Sequence, residues 1–248
     1  MHIKLNIVLL LLVLTLDGQG HTASIYGGHE AVPHSRPYMV LLEYSCAYTQ
    51  KHCDGFLLDE DFVMTAAHCK AENYKVFLGL HNYHSEDKHF VSVDEVFPHE
   101  NFFIDDQEIR NDIMLLKLSS KAVFSDKVKP IKLAGPDDHI RPQDCLVSGW
   151  GRSNRSNNHS SPKLMEVNVT LVDGQYCDIT DVYCTQGETG PARGDSGGPL
   201  VCENGTAYGI VSASYGSLHV FTKISKYTSW IENIISSEIC WVSFFFLL

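Results

Sequence analysis

An all-β fold with one helix near its C-terminal end is what this sequence predicts, on three observations. Short runs rich in apolar, β-branched and aromatic residues recur from Tyr38 to Ile224. Gly, Asn, Asp and Pro punctuate the gaps between them. Helical spacing occurs only at the end, from Ser225 to Ile235. The chain has 248 residues, 44% hydrophobic and 20% charged, enough for one large domain or two tightly joined halves.

The elements follow in order. Residues 1–20 carry Lys4, an apolar run from Ile7 to Leu16, then Gly18 and Gly20, the pattern of a secretory signal peptide. The run is shorter than the roughly 20 residues that a bilayer span requires. Strand signals then come at Tyr38–Leu42, Phe56–Leu58, Phe62–Thr65, Lys75–Leu78 and Ile113–Leu118. A second group follows at Cys145–Ser148, Lys163–Leu171, Pro199–Cys202, Tyr208–Ser212 and Val220–Ile224. Many short strands between turn signals indicate a barrel or a sandwich. In the last of the periodic segments, Tyr227, Trp230, Ile231 and Ile234 share one helical face. No repeat, low-complexity tract or flexible linker interrupts Ile25 to Ile235. The terminal I-C-W-V-S-F-F-F-L-L is apolar but too short to span a bilayer, so residues 236–248 either pack on the body or form a tail.

Export makes the eight cysteines candidates for disulfides rather than for thiols or metal ligands. Asn154, Asn158, Asn168 and Asn204 each open a glycosylation triplet. A formal net charge of −11 argues against nucleic acid or another polyanion as the main partner. No metal or cofactor is expected.

The chemistry concentrates in P-A-R-G-D-S-G-G-P-L, from Pro191 to Leu200, where glycines surround Ser196. Glycine lets backbone approach a ligand closely, so a serine displayed this way fits a nucleophile with amide N–H groups aimed at its target. Alone, the stretch fits an ordinary turn equally well. A nucleophilic serine needs a base, and the base needs a carboxylate to orient it. His68, in M-T-A-A-H-C, follows the strand Phe62–Thr65, and the adjacent Cys69 is placed to pin the turn covalently. Asp112, in N-D-I-M-L-L-K-L, sits at the mouth of an apolar strand, where a carboxylate is partly desolvated and needs a partner. His81, His84, His89, His99 and His159 read as surface residues.

Together, T-A-A-H-C, D-I-M-L-L and G-D-S-G-G-P resemble the trypsin/chymotrypsin-like serine proteases, over about Ile25 to Ile235. The resemblance implies two six-stranded antiparallel barrels with the active site between them, and a C-terminal helix. It implies that Ser196, His68 and Asp112 form a catalytic triad and that the N–H groups of Gly194 and Ser196 form the oxyanion hole. It also implies that a freed ammonium on Ile25 pairs with Asp195 to shape the oxyanion loop. The implied disulfides are Cys53–Cys69, Cys145–Cys202 and Cys177–Cys184; Cys46 and Cys240 either pair together, stay free or join another chain.

Within the family, I-Y-G-G-H-E-A-V-P-H-S-R-P-Y-M and Ala192 look like the granzyme, mast-cell chymase and cathepsin G branch. That implies protein substrates, serpin-type inhibitors, and secretion or storage in immune-cell granules. The net charge departs from the basic character of granule proteases that bind acidic proteoglycan. Ser24 precedes Ile25, so no basic residue marks the activation bond. Residues 21–24, His21-Thr22-Ala23-Ser24, form two dipeptides, which points to removal by a dipeptidyl peptidase. Gly190 falls at the floor of the specificity pocket, where trypsin-like enzymes carry Asp, so Lys and Arg substrates are not expected. Arg193 lies at the rim, and the wall reads S-A-S-Y-G-S-L-H-V. Either Ser212 or Ser214 begins the substrate-pairing strand, with Tyr215-Gly216 favouring Ser214. His219 either reaches the pocket base or faces solvent; acidic, aromatic and small P1 residues all stay open. Two other readings share the fold: a catalytically silent binding protein and a digestive-type protease.

Overall fold

The structure is a computed structural model, which describes residues 25–46, 49–105, 108–136, 142–152 and 159–245; positions 46 and 239–245 are described for backbone alone. The expected signal peptide, propeptide, Asn154 and Asn158 lie outside the described residues, as do the side chains of Cys46 and Cys240.

The chain forms β1 (His29–Glu30), β2 (Met39–Cys46), β3 (Thr49–Leu57), β4 (Phe62–Thr65), β5 (Tyr74–Leu78), β6 (Phe90–Pro98), β7 (Phe103–Ile104), β8 (Ile109–Arg110) and β9 (Met114–Leu118). The second half holds β10 (Asp144–Gly149), β11 (Met165–Thr170), helix α1 (Gln175–Thr180), β12 (Tyr183–Gln186), β13 (Pro199–Cys202), β14 (Thr206–Tyr215), β15 (Leu218–Lys223) and helix α2 (Thr228–Phe245). In the first half, β2, β3, β4, β9, β6 and β5 close into an antiparallel barrel. The second half is a seven-stranded sheet in the order β1-β11-β10-β13-β14-β15-β12.

Expectation and structure differ at that second sheet. Strand β12 and the end of β11 meet through a single bridge, Leu171 to Thr185, and not through a full ladder. The chain turns away from β11 towards α1 just after that bridge, which leaves no strand length for more pairing. Six strands therefore roll into a barrel closed at one point, and β1 adds a seventh along β11.

Period-two patterning explains how the halves join. On β2, Val40 and Leu42 face the first barrel's core, whereas Met39 and Leu41 pack with Phe77, Trp150 and Leu164. Both faces of this strand are covered, so it reads as a continuous apolar run. The second core gathers Ile25, Val147, Leu200 and Phe221. The three expected disulfides are present, with Cα–Cα separations of 6.3 Å for Cys53–Cys69, 4.1 Å for Cys145–Cys202 and 6.1 Å for Cys177–Cys184.

The C-terminal helix begins at Thr228, after a 3-10 turn at Ile224–Tyr227, and continues through residues 236–245. Tyr227 and Ile231 are buried, and Glu238 pairs with Lys117 of β9. No helix among the described residues is long and apolar enough to cross a membrane.

Candidate active site

Local sequence places each functional side chain. Strand β4 is fully buried and runs into Ala66 and Ala67, whose small side chains let the chain tighten into a 3-10 turn at Ala67–Cys69. Cys69 ties that turn to Cys53 on β3, which fixes His68 between them. His68 is 23% exposed.

Asp112 precedes β9 and is 1% exposed. A carboxylate this buried needs donors, and it has three. Its Oδ1 accepts the His68 N–H at 2.9 Å; its Oδ2 accepts from His68 Nδ1 at 2.7 Å and from the Ser212 hydroxyl at 2.5 Å. The Thr222 hydroxyl also holds the Asp112 carbonyl, at 3.0 Å. With Nδ1 engaged by Asp112, the imidazole presents Nε2 as its remaining nitrogen.

Ser196 sits on a loop fixed by Asp195, which is 0% exposed. Asp195 Oδ1 accepts the Gly151 N–H and Oδ2 accepts the Ala192 N–H, each at 2.7 Å. A Cβ on Gly151 would strike the Asp195 carboxylate, so this close approach requires glycine. The Arg193 carbonyl accepts the Arg152 N–H at 2.9 Å. Because C=O and N–H of a trans peptide point in opposite directions, that bond turns the Gly194 N–H away from Arg152. Gly194 has φ +107°, and a Cβ there would lie 2.9 Å from Gly151 Cα.

His68, Gly194 and Ser196 line one cleft of about 810 Å³, together with Tyr44, Thr49, Gln50, Lys51, His52, Cys53, Arg152, Ser160 and Arg193. The described contacts contain no His68–Ser196 hydrogen bond; such bonds are often long before substrate arrives. The arrangement can withdraw a proton from a serine hydroxyl and hold negative charge against backbone amides.

Burial pushes the Asp195 carboxyl up to about 7, against the opposing hydrogen bonds from Ala192 and Gly151. Ile25, the expected partner of Asp195, is fully buried in the second core, and the following residue, Tyr26, accepts the Gly190 N–H at 3.0 Å.

At the expected specificity pocket, His219 is 2% exposed and not solvent-facing. A Cβ on Gly190 would stand 2.8 Å from the His219 ring, so the imidazole occupies the space that a side chain at 190 would take. His219 Nδ1 lies 2.9 Å from Ser214 Oγ, and the two residues are cross-strand partners. Gly216, at φ +65°, and Ser217 form a two-residue turn between Tyr215 and Leu218, which is why this wall is short. Of the two serines considered for the start of the substrate-pairing strand, Ser212 reaches Asp112. Asn168 and Asn204 are exposed.

Sequence reasoning missed several neighbours. Asp54, between Cys53 and Gly55 on β3, is fully buried beside Asp195. Lys51, His52 and Arg152 join Arg193 in the cleft, and nothing local in the sequence marked them. Histidines read as surface residues include engaged ones. His81 pairs with Glu30 at 3.0 Å, and His99 packs with ring-centre distances of 5.2 Å against both Tyr227 and Trp230.

A trypsin-family profile matches residues 25–231. Rat (Rattus norvegicus) granzyme B is 40% identical over 254 residues, covering 94% of this chain and all of the relative. Bovine (Bos taurus) duodenase-1 is 40% identical over 245 residues, covering 92% and 95%. Mouse (Mus musculus) mast cell protease 8 is 39% identical over 242 residues, covering 92% and 96%. A solved structure titled "Structure of GrC" superposes with TM-score 0.75 at 35% identity, covering 85% of this chain and 99% of that one.

Proposed function

The chain belongs to the trypsin family of serine endopeptidases, and from that premise we propose an immune-effector protease of the granzyme and mast-cell protease type, stored in granules or secreted. Ser196 Oγ attacks the peptide carbonyl while His68 Nε2 takes its proton. His68 then returns that proton to the leaving amine, and water repeats the cycle on the acyl-enzyme. Asp112, with Ser212 as an added donor, fixes the imidazole tautomer and balances its transient positive charge. The amides of Gly194 and Ser196 receive the oxyanion. The observation that carries this reading is the 2.7 Å bond from His68 Nδ1 to a buried Asp112, with Ser196 in the same cleft.

The precursor loses residues 1–20 as a signal peptide and then His21-Thr22 and Ala23-Ser24 to a dipeptidyl peptidase. The freed Ile25 ammonium pairs with Asp195, so the uncut chain is weakly active. Specificity is non-tryptic, because Gly190 supplies no carboxylate and His219 forms the pocket base. Lys51, Arg152 and Arg193 bias the rest of the cleft towards acidic protein segments, and serpin-type inhibitors act at the same cleft.

The test compares protein beginning at Ile25 with the uncut chain, using fluorophosphonate labelling and a positional peptide library. The processed form should label at Ser196 and turn over substrate; Ser196→Ala should do neither. A mature terminus other than Ile25, or cleavage mainly after Lys or Arg, would overturn the corresponding part.

A further inference from the structure

The catalytic cycle above leaves one fully buried acid unused. Asp54 lies on β3 at 0% exposure, next to the Cys53–Cys69 disulfide. Its backbone N–H donates to the Ser196 carbonyl at 2.8 Å, so its main chain already braces the serine loop. Its side chain lies beside Asp195: a Cβ added to Gly149 would collide with Asp54 Oδ2 and Asp195 Oδ1 alike. Two carboxyl groups thus flank one gap the width of a missing methyl group.

Their support is unequal. Asp195 has an amide at 2.7 Å on each oxygen. Asp54 has the Trp150 N–H on Oδ2 at 3.1 Å, and its Oδ1 has no partner among the described residues. The elements packed around Asp54 offer little charge. Opposite it, β2 contributes Leu41, and β4 contributes the Thr65 hydroxyl, which bonds the Asp54 carbonyl. The nucleophile loop contributes Gly198 and Asp195, and Asp195 is the charged group that acts on it. A single Ile25 ammonium balances one carboxylate, so a second anion here stands uncompensated.

We propose that Asp54 is a positioning residue for the loop presenting Ser196, serving as a neutral carboxylic acid beside ionised Asp195, so that the loop holds its shape only while Asp54 keeps its proton. This rests on the reading of Ser196 as nucleophile. Burial, then the nearby Asp195 charge, push the Asp54 carboxyl well above the ordinary carboxylate range. Asp195, with an amide donor on each oxygen, ionises first. As pH rises, Asp54 releases its proton to solvent, and two anions then face each other across Gly149. The segment that responds runs from Ala192 to Gly198 and carries the amides of Gly194 and Ser196. Activity is therefore retained on the acid side of Asp54 ionisation and lost above it.

The test is the pH profile of kcat/KM for processed protein and for Asp54→Asn, which is isosteric and permanently neutral. The alkaline limb should move up by about one pH unit or more in Asp54→Asn; a superimposable or lowered limb overturns the proposal. Should that variant not fold, Asp54→Gly removes the same acid and carries the same expectation. Infrared spectroscopy on the unaltered protein gives an independent readout: a protonated-carboxyl C=O band present at neutral pH and lost in either variant. Its absence from the unaltered protein overturns the proposal as well. If processed protein turns over no substrate, the protease reading fails, and the infrared band still decides the state of Asp54.

Discussion

Replacing Gly194 by alanine tests the amide proposed to receive the oxyanion. At φ +107° an L side chain is strained, and its Cβ would sit 2.9 Å from Gly151 Cα. Gly151 has little freedom to retreat, because its own N–H is bound to Asp195 at 2.7 Å. The strain is relieved by rotating the Arg193–Gly194 peptide, which breaks the 2.9 Å bond from Arg152 N–H to the Arg193 carbonyl. That rotation takes the Gly194 N–H out of the cleft. Losing one such donor lowers kcat by roughly 10²–10³-fold, about 3–4 kcal/mol of transition-state stabilisation. KM should change little, because the donor meets charge that develops only in the transition state. Folding should lose about 2–4 kcal/mol, from one hydrogen bond and residual backbone strain. The assay is steady-state kinetics on protein processed to Ile25, with active-site titration by a fluorophosphonate to count competent molecules and near-ultraviolet circular dichroism to check the fold. A natively folded variant whose kcat lies within fivefold of the parent would refute the assignment of this amide.

Ser212→Ala removes a donor that charge-assists Asp112, a type of bond contributing about 1.5–3 kcal/mol, so kcat/KM should fall roughly ten- to hundredfold. Ser214→Ala should spare turnover, and the opposite ranking in steady-state assays would move the role to Ser214. Among the disulfides, Cys145–Cys202 closes a separation of 57 residues and Cys177–Cys184 one of 7. Loop-closure entropy then predicts losses of about 4 and about 2.5 kcal/mol for the paired Cys→Ala variants, measured by urea unfolding; equal losses would count against that account.

The strands legible in the sequence are those whose burial is continuous. Phe62–Thr65 and Pro199–Cys202 were expected with their observed boundaries, because all four side chains of each are buried. Strand β6 was not legible: its exposure alternates irregularly, and a bulge between Val93 and Glu95 disrupts the period. Strand β12 spans only four residues behind a six-residue helix, and its place in the sheet comes from its ladder with β15. His68, Asp112 and Ser196 stood out as candidates because each sits in a local motif, and the fold sets His68 on Asp112 with Ser196 in the same cleft. That Ser212 meets Asp112 was not legible, since only the folding of β14 brings that hydroxyl to the carboxylate. Asp54 was out of reach for a related reason: its neighbour Asp195 is distant in sequence, and only folding brings the two carboxyl groups together.

The distribution of charge yields one last prediction. The chain carries −11 overall, yet the cleft contains Lys51, His52, Arg152 and Arg193, with no Asp or Glu among its described lining residues. Charges farther off than a Debye length, about 10 Å at 0.1 M salt, are screened, so a substrate entering the cleft meets the local cations more strongly than the distant acids. Neither Gly190 nor His219 lines this cleft, so on the proposed specificity its cations face substrate residues other than the one that Gly190 would seat. In the proposed mechanism those include the leaving-group side of the scissile bond. Exposed charge pairs contribute roughly 0.2–1 kcal/mol each, so two acidic residues there should raise kcat/KM about 2- to 30-fold over two glutamines. The preference should shrink as salt rises from 0.05 to about 0.5 M, and the double variant Lys51→Glu, Arg152→Glu should reverse it. A preference that survives both high salt and charge reversal would mean that shape, and not the local field, selects the substrate.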